Sequence, residues 1–170
     1  HQQSGEIRRI NSRAIQHQIE GGSIVIIPAI GYSPSGEIFH LEYKNIASKV
    51  ASALQADKLI YLIADEGLRD TSDNLINELD LTNQEDMSEA LDTEGLIKCC
   101  DISCQNGVDR CHVISYEKDG AILKELFTRD GCGTQIVGHS YERIRTAVVD
   151  DVLGVLRLIE PLENEGVLVK

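Results

Sequence analysis

The sequence predicts an α/β fold with a largely parallel sheet, on three observations. Apolar, β-branched runs of strand length stand at Ser23-Ile-Val-Ile-Ile-Pro-Ala-Ile30 and Lys58-Leu-Ile-Tyr-Leu-Ile-Ala64, the pattern of strands covered on both faces. Segments with apolar residues at helical spacing alternate with such runs, the order that builds a parallel sheet. The 170 residues are 42% apolar and 26% charged, which suits a packed domain and excludes a disordered tail.

In chain order, Asn11 or Ser12 caps a short helix carrying Ile15 and Ile19, which Gly21-Gly22 stops. The 23–30 run follows as a buried strand. Gly31-Tyr-Ser-Pro-Ser-Gly36 is a turn cluster and Glu37 to Leu41 a short strand. A helix then places Ile46, Val50, Ala53 and Leu54 on one side, and Lys58 to Ala64 is a second buried strand. Later come a helix over Leu96 to Cys104, a strand over Cys111 to Tyr116, a helix over Gly120 to Phe127 and a strand over Thr134 to Val137. At Gly138-His139-Ser140 the character changes. Ile144-Arg-Thr-Ala147 reads as a strand, and Val148 to Leu162 as a helix with Val152, Val155, Leu156 and Ile159 at helical spacing. The expected domain boundary is therefore near 139 to 142. The chain opens His-Gln-Gln-Ser-Gly-Glu without Met, and the expectation is an interior piece of a longer protein.

Charge narrows the function classes. With 28 acids against 16 bases the formal charge is −12. Nucleic acids and anionic membranes are held by Lys and Arg clusters, and only the Arg8-Arg9 pair approaches one. No apolar run is long enough for a transmembrane helix. Residues 65 to 94 hold eleven acids and one base, Arg69, leaving −2 for the rest of the chain. That block reads as a solvated surface insertion with at most a short helix near Glu85 to Leu91.

Five cysteines, three of them within six positions, fit a reduced, cytoplasmic protein better than a disulfide framework. A zinc set of Cys100, Cys104, Cys111 and His112 lacks the second short knuckle of a structural site. The expectation is a buried thiol face with Leu96 and no metal.

The densest cluster of polar groups is Glu125-Leu-Phe-Thr-Arg-Asp-Gly-Cys-Gly-Thr134. A helix ends there, and Glu125, Arg129, Asp130 and Thr134 gather between helix and strand around Cys132. Free carbonyls and carboxylates at such a junction suit a cationic ligand. Spacing alone favours a plain Gly C-cap. His112, opening a strand just after Cys111, reads alone as a satisfied, partly buried histidine rather than a functional one, while Lys58 is a strand-edge charge or a ligand contact, and spacing does not decide. No phosphate loop or nucleophile triad is present.

Read as words, the chain resembles bacterial N-acetylglutamate synthases. The matching stretches are Ser4-Gly-Glu-Ile-Arg-Arg-Ile10, Ala56-Asp-Lys-Leu-Ile60, Gly107-Val-Asp-Arg-Cys-His-Val-Ile-Ser-Tyr116, Asp119 through Val137, Ile144-Arg-Thr-Ala to Glu163, and Gly166-Val-Leu-Val169. The resemblance implies the C-terminal half of an amino-acid-kinase-like domain over 1–139, with the acidic insertion at about 65–94. It implies the first strand and helix of a GNAT acetyltransferase domain over 140–170. The implied activity is acetyl transfer from acetyl-CoA to the amino group of L-glutamate, opening arginine biosynthesis, in a cytoplasmic homo-oligomer. The acetyl-CoA site would lie beyond Lys170, so no catalytic residue falls in this chain. L-arginine is the implied effector, its site carried by His112, Glu125, the Gly131 loop and, more weakly, Lys58, where charge-assisted bonds can receive a guanidinium. The resemblance further implies that residues such as Ile24 to Ile27 lack strand neighbours. Related to these synthases are the N-acetylglutamate kinases. Where these carry a catalytic Asp this chain has Lys44, and where they carry a Lys it has Leu96, so phosphoryl transfer is not expected. A stand-alone arginine-binding module is the other alternative.

Overall fold

Eleven elements follow one another in the computed structural model, which describes residues 5–92, 95–128 and 131–138. They are α1 (Ser12–Glu20), β1 (Ile30–Tyr32), β2 (Ile38–His40), α2 (Tyr43–Leu54), β3 (Lys58–Ile63), β4 (Glu78–Asp80), α3 (Gln84–Glu89), α4 (Leu96–Gln105), β5 (Arg110–Ser115), α5 (Ala121–Phe127) and β6 (Thr134–Val137). All fall within the chain's first compact unit, His1–Ser140. The strand expected over 144–147 and the helix over 148–162 lie outside the described residues.

The main sheet runs β3-β5-β6-β4, with β3 parallel to β5, β6 parallel to β4, and β5 antiparallel to β6. The sheet is α/β and mostly parallel, as predicted, with one antiparallel step made because α5 folds back and delivers β6 in the opposite sense. A second, two-stranded sheet is the β1-β2 hairpin.

Alternation along the strands sorts the side chains. Leu59, Cys111, Ile136 and Leu79 lie in one cross-strand row and face the core with Tyr61, Val113 and the buried residues of α4. Its next row, Ile60, His112, Gln135 and Glu78, points to the opposite face, where α5 packs on β5. A one-residue shift in register would exchange these faces, so the apolar row fixes where His112 goes.

Four expectations are corrected. The 23–30 run does not form a strand buried on both faces: only Ile30 enters a strand, and Ile24 and Ile26 are 93% and 90% exposed. β-branched content measures fit to a pleated surface and does not supply a neighbour. Likewise Lys58–Ile63 is an edge strand, buried through Leu59 and Tyr61 while Leu62 is exposed.

The acidic block is not merely a solvated excursion. Leu68 and Leu79 within it belong to the core, and β4 completes the sheet beside β6. Its short helix is present as α3, capped by the Asn83 side chain.

On α2 the buried residues are Lys44, Ile46, Ser48 and Ala51, so that of the predicted apolar set Ile46 alone is among them. Hydrogen bonding is the reason: the hydroxyls of Ser48 and Ser103 meet at 2.7 Å between α2 and α4, and both reach the Cys99 carbonyl. Of the thiol face expected on α4, Leu96 and Cys100 are buried and Cys104 is half-buried, and Cys99 is buried as well.

Candidate functional site

β5 ends its antiparallel pairing with β6 at Val113↔Thr134, and the turn that precedes β6 lies beneath α5. Glu125, the fifth residue of α5, points its carboxylate into this corner. Its side chain is 4% exposed and that of His112 3%. Glu125 Oε1 lies 2.8 Å from His112 Nδ1. Glu125 Oε2 accepts the Cys132 N–H at 2.7 Å and the Gly133 N–H at 3.2 Å. Burial alone would raise this carboxyl. The Cys132 N–H, the His112 imidazole and the Gly133 N–H outweigh it and hold Glu125 below the ordinary carboxylate range.

The turn needs its glycines. Gly131 sits at φ +59°, and a Cβ there would lie 2.5 Å from Glu125 Oε2. A Cβ on Gly133 would run into the Val113 carbonyl, so β6 can approach β5 only without a side chain at that point.

Of the four residues singled out from sequence, the fold brings His112, Glu125 and Gly131 together. Lys58 lies two positions along β3 from Ile60, the strand partner of His112, and is exposed. No hydrogen bond or ion pair joins it to His112 or Glu125. Arg129 and Asp130 lie outside the described residues. Sequence reasoning missed the backbone donors of Cys132 and Gly133. The Gly-Cys-Gly spacing was the available sign, since it frees two N–H groups beside one carboxylate.

The thiols of Cys104, Cys111 and Cys132 are disfavoured as thiolates. Cys104 and Cys111 approach at 4.0 Å between sulfurs. Their mutual hydrogen bond and burial push Cys104 up, and Cys111, bonded to Cys100 and buried, is also raised. Burial, with Glu125 nearby, raises Cys132 as well. Among the described residues no group of three or more His, Cys, Asp and Glu side chains gathers to hold a metal, and no helix is long and apolar enough to cross a membrane. A groove of about 680 Å³ between the N-terminal segment and the β1-β2 hairpin lies apart from His112 and Glu125, neither of which lines it.

The model of the amino acid kinase family matches residues 2–115. The chain belongs to the amino acid kinase family. An amino-acid acetyltransferase from Photorhabdus laumondii subsp. laumondii is 39% identical over 98% of this chain and 39% of its own length. Two structures of N-acetylglutamate synthase from Neisseria gonorrhoeae share 34% identity. One, complexed with coenzyme A and L-arginine, superposes with a TM-score of 0.78 over 93% of this chain and 38% of that one. The other, complexed with coenzyme A and N-acetyl-glutamate, gives 0.75 over 96% and 39%. The chain thus spans about 40% of the length of the curated relatives it matches.

Within this amino acid kinase fold, the two positions that separate the resemblance from the kinases are both enclosed. Leu96 is 2% exposed in the core and Lys44 is 9% exposed, its carbonyl accepting the Tyr61 hydroxyl at 2.9 Å. At the start of α4, Asp92 already accepts the Ile97 and Lys98 N–H groups, which fills the end of the helix where an anion would otherwise dock.

Proposed function

We propose that this chain is the regulatory, arginine-sensing part of an N-acetylglutamate synthase, which transfers acetyl from acetyl-CoA to the amino group of L-glutamate. The observation that carries the sensing role is the buried Glu125 carboxylate, anchored by His112 and two loop N–H groups. A carboxylate accepts about four hydrogen bonds, and three are used, which leaves a charged acceptor for a guanidinium beside the carbonyls of the Gly131 turn. Lys58, on the same sheet face, stands where it can meet the α-carboxylate of the same ligand.

Residues 1–139 are assigned to the kinase-like domain and 140–170 to the beginning of a GNAT domain. The acetyl-CoA and glutamate contacts are assigned to chain beyond residue 170. The assembly is assigned as a cytoplasmic homo-oligomer, and the free thiols suit a reducing compartment. Lys44 and Leu96 speak against N-acetylglutamate kinase activity, because neither can supply the charge that phosphoryl transfer needs at those places.

Calorimetric titration of L-arginine into the full-length protein, wild type and Glu125→Ala, tests the sensing role. Heat present in wild type and lost in the variant is expected; undiminished binding by the variant moves the site elsewhere. An acetyl-transfer assay with glutamate and acetyl-CoA on the same preparation tests the catalytic half, and absence of turnover would sink it.

A further inference from the structure

Cys104 stands in the last turn of α4, and Cys111 is the second residue of β5, on the row of the sheet that faces the core. Their sulfurs lie 4.0 Å apart. The two differ in access, for Cys111 is fully buried and Cys104 half-buried. A Cβ added at Gly138 would lie 2.5 Å from the Cys104 Cβ, so the chain leaving β6 rests directly on this residue. The Gly138 N–H reaches the Cys104 sulfur, a contact that favours its thiolate. Geometry closes the other pairings. Cys100 and Cys104 are four apart on one helix, where Cβ atoms stand about 5–6 Å from each other, against about 3.8 Å in a disulfide. Cys99 and Cys100, successive on that helix, do not face each other. Cys100, fully buried like Cys111, offers an external oxidant no first point of attack. Cys132 bonds to the Ala121 carbonyl at 3.3 Å, beneath α5 on the other face of the sheet.

We propose that Cys104 and Cys111 form a modification site, closing a reversible disulfide between α4 and β5 when the protein meets a small-molecule disulfide such as oxidised glutathione. In the first step the Cys104 sulfur attacks one sulfur of the small disulfide and its S–S bond breaks. A mixed disulfide forms, and one small thiol leaves with the proton that Cys104 gave up. In the second step Cys111 attacks the Cys104 sulfur, the mixed S–S bond breaks, and a second small thiol leaves with the Cys111 proton. Two protein thiols are oxidised and one small disulfide is reduced to two thiols. The protein sulfurs draw in from 4.0 Å to about 2.05 Å, a displacement that rotation about the two Cα–Cβ bonds supplies.

The arrangement suits a redox-responsive pair rather than a standing bridge. Disulfides of reducing compartments are transient. Burial and the contact between the thiols push both up at rest, which slows the first attack without changing what forms. Once closed, the link ties the last turn of α4 to the residue beside His112. The segment it encloses, 105–110, is already held: Gly107 turns at φ +94°, the Asn106 carbonyl accepts from Gln55 Nε2 at 2.8 Å, and Val108 is buried. A short enclosed loop gives a small gain in stability. The proposal stands apart from the ligand and the activity proposed above.

The test incubates the native full-length protein with oxidised glutathione at about pH 8.5, where an ordinary thiol is half ionised. The reaction is quenched by alkylation and the links are located by peptide mass mapping. The expected product joins the peptides that carry Cys104 and Cys111, and dithiothreitol restores both thiols. Its urea midpoint is expected to lie slightly above that of the reduced protein. A urea-unfolded sample, in which every cysteine is open to the reagent, shows that the reagent is active. Cys104→Ser is expected to abolish the link, but the wild-type result decides without any variant having to fold. Full retention of both thiols in the native protein would overturn the proposal. So would a product that stops at the mixed disulfide on Cys104, or a link between other cysteines. A lowered urea midpoint would overturn it too, since the link would then form only by forcing α4 and β5 out of their native places.

Discussion

The hydroxyl of Thr134 accepts the Leu68 N–H at 2.8 Å across 66 residues of chain. It also donates to the Ile76 carbonyl at 2.6 Å, while Ile76 N–H returns to the Leu68 carbonyl. One fully buried side chain in β6 therefore fastens the acidic block to the strand that ends the Glu125 turn. Thr134→Val keeps the shape and removes both bonds, leaving a buried N–H and a buried carbonyl short of partners. The expected loss is about 1–3 kcal/mol, read as a lower urea midpoint with the denaturant slope unchanged. A variant as stable as wild type would mean that the block is held mainly by Leu68 and Leu79.

Gly131→Ala tests whether the turn is built around the carboxylate. The added methyl meets two obstacles, a positive φ and the Glu125 Oε2 2.5 Å away. Gly22 supplies the comparison, for it too has a positive φ, 79°, but nothing within 4 Å of the added carbon. Both substitutions cost the backbone term of about 1–2 kcal/mol, whereas only Gly131→Ala should weaken arginine binding. Equal binding by the two variants would show that the Glu125 carboxylate can move without consequence.

Acid stability should report on Glu125. Its carboxyl is held below the ordinary range in the folded state, so the unfolded chain takes up a proton first as pH falls. The stabilisation is complete above the unfolded value, about 4.3, and disappears as pH drops through the lower folded value. Urea midpoints measured down this range should fall more steeply for wild type than for Glu125→Gln. Parallel curves would show that the contacts of Cys132, His112 and Gly133 do not favour the charged form.

How much of this was legible in the sequence depends on how local each cause is. The Asn11 cap of α1, the span of β6 and the position of α4 were readable, because caps and apolar periods act within a few residues. β4 was not, since its three residues offer only Leu79 between two acids and its partner lies far along the chain. The buried side of α2 was misread because Ser48 is buried by a hydrogen bond to α4 rather than by apolarity. At the site, the Gly-Cys-Gly spacing marked the turn, but His112 and Glu125 meet only because α5 folds back over β5. That closure is a property of the sheet, and only the resemblance linked the two beforehand.

Asp92 accepts the N–H groups of Ile97 at 3.1 Å and Lys98 at 3.4 Å, while the Gly95 N-cap offers no side chain. Its carboxylate therefore does the capping from outside the helix and places negative charge at the positive end of α4. Asp92→Ala frees two donors next to the core residues Leu96 and Ile97, with an expected loss of about 0.5–2 kcal/mol. Asp92→Asn keeps an acceptor but loses the charge, so its midpoint should fall between those of wild type and Asp92→Ala. Chemical denaturation of the three proteins at one salt concentration, repeated at high salt, separates the contributions: the gap between Asp and Asn should shrink as salt screens the charge, while the gap between Asn and Ala persists. If Asn and Ala unfold together, the bonds to Ile97 and Lys98 contribute nothing beyond charge, and the cap is electrostatic alone.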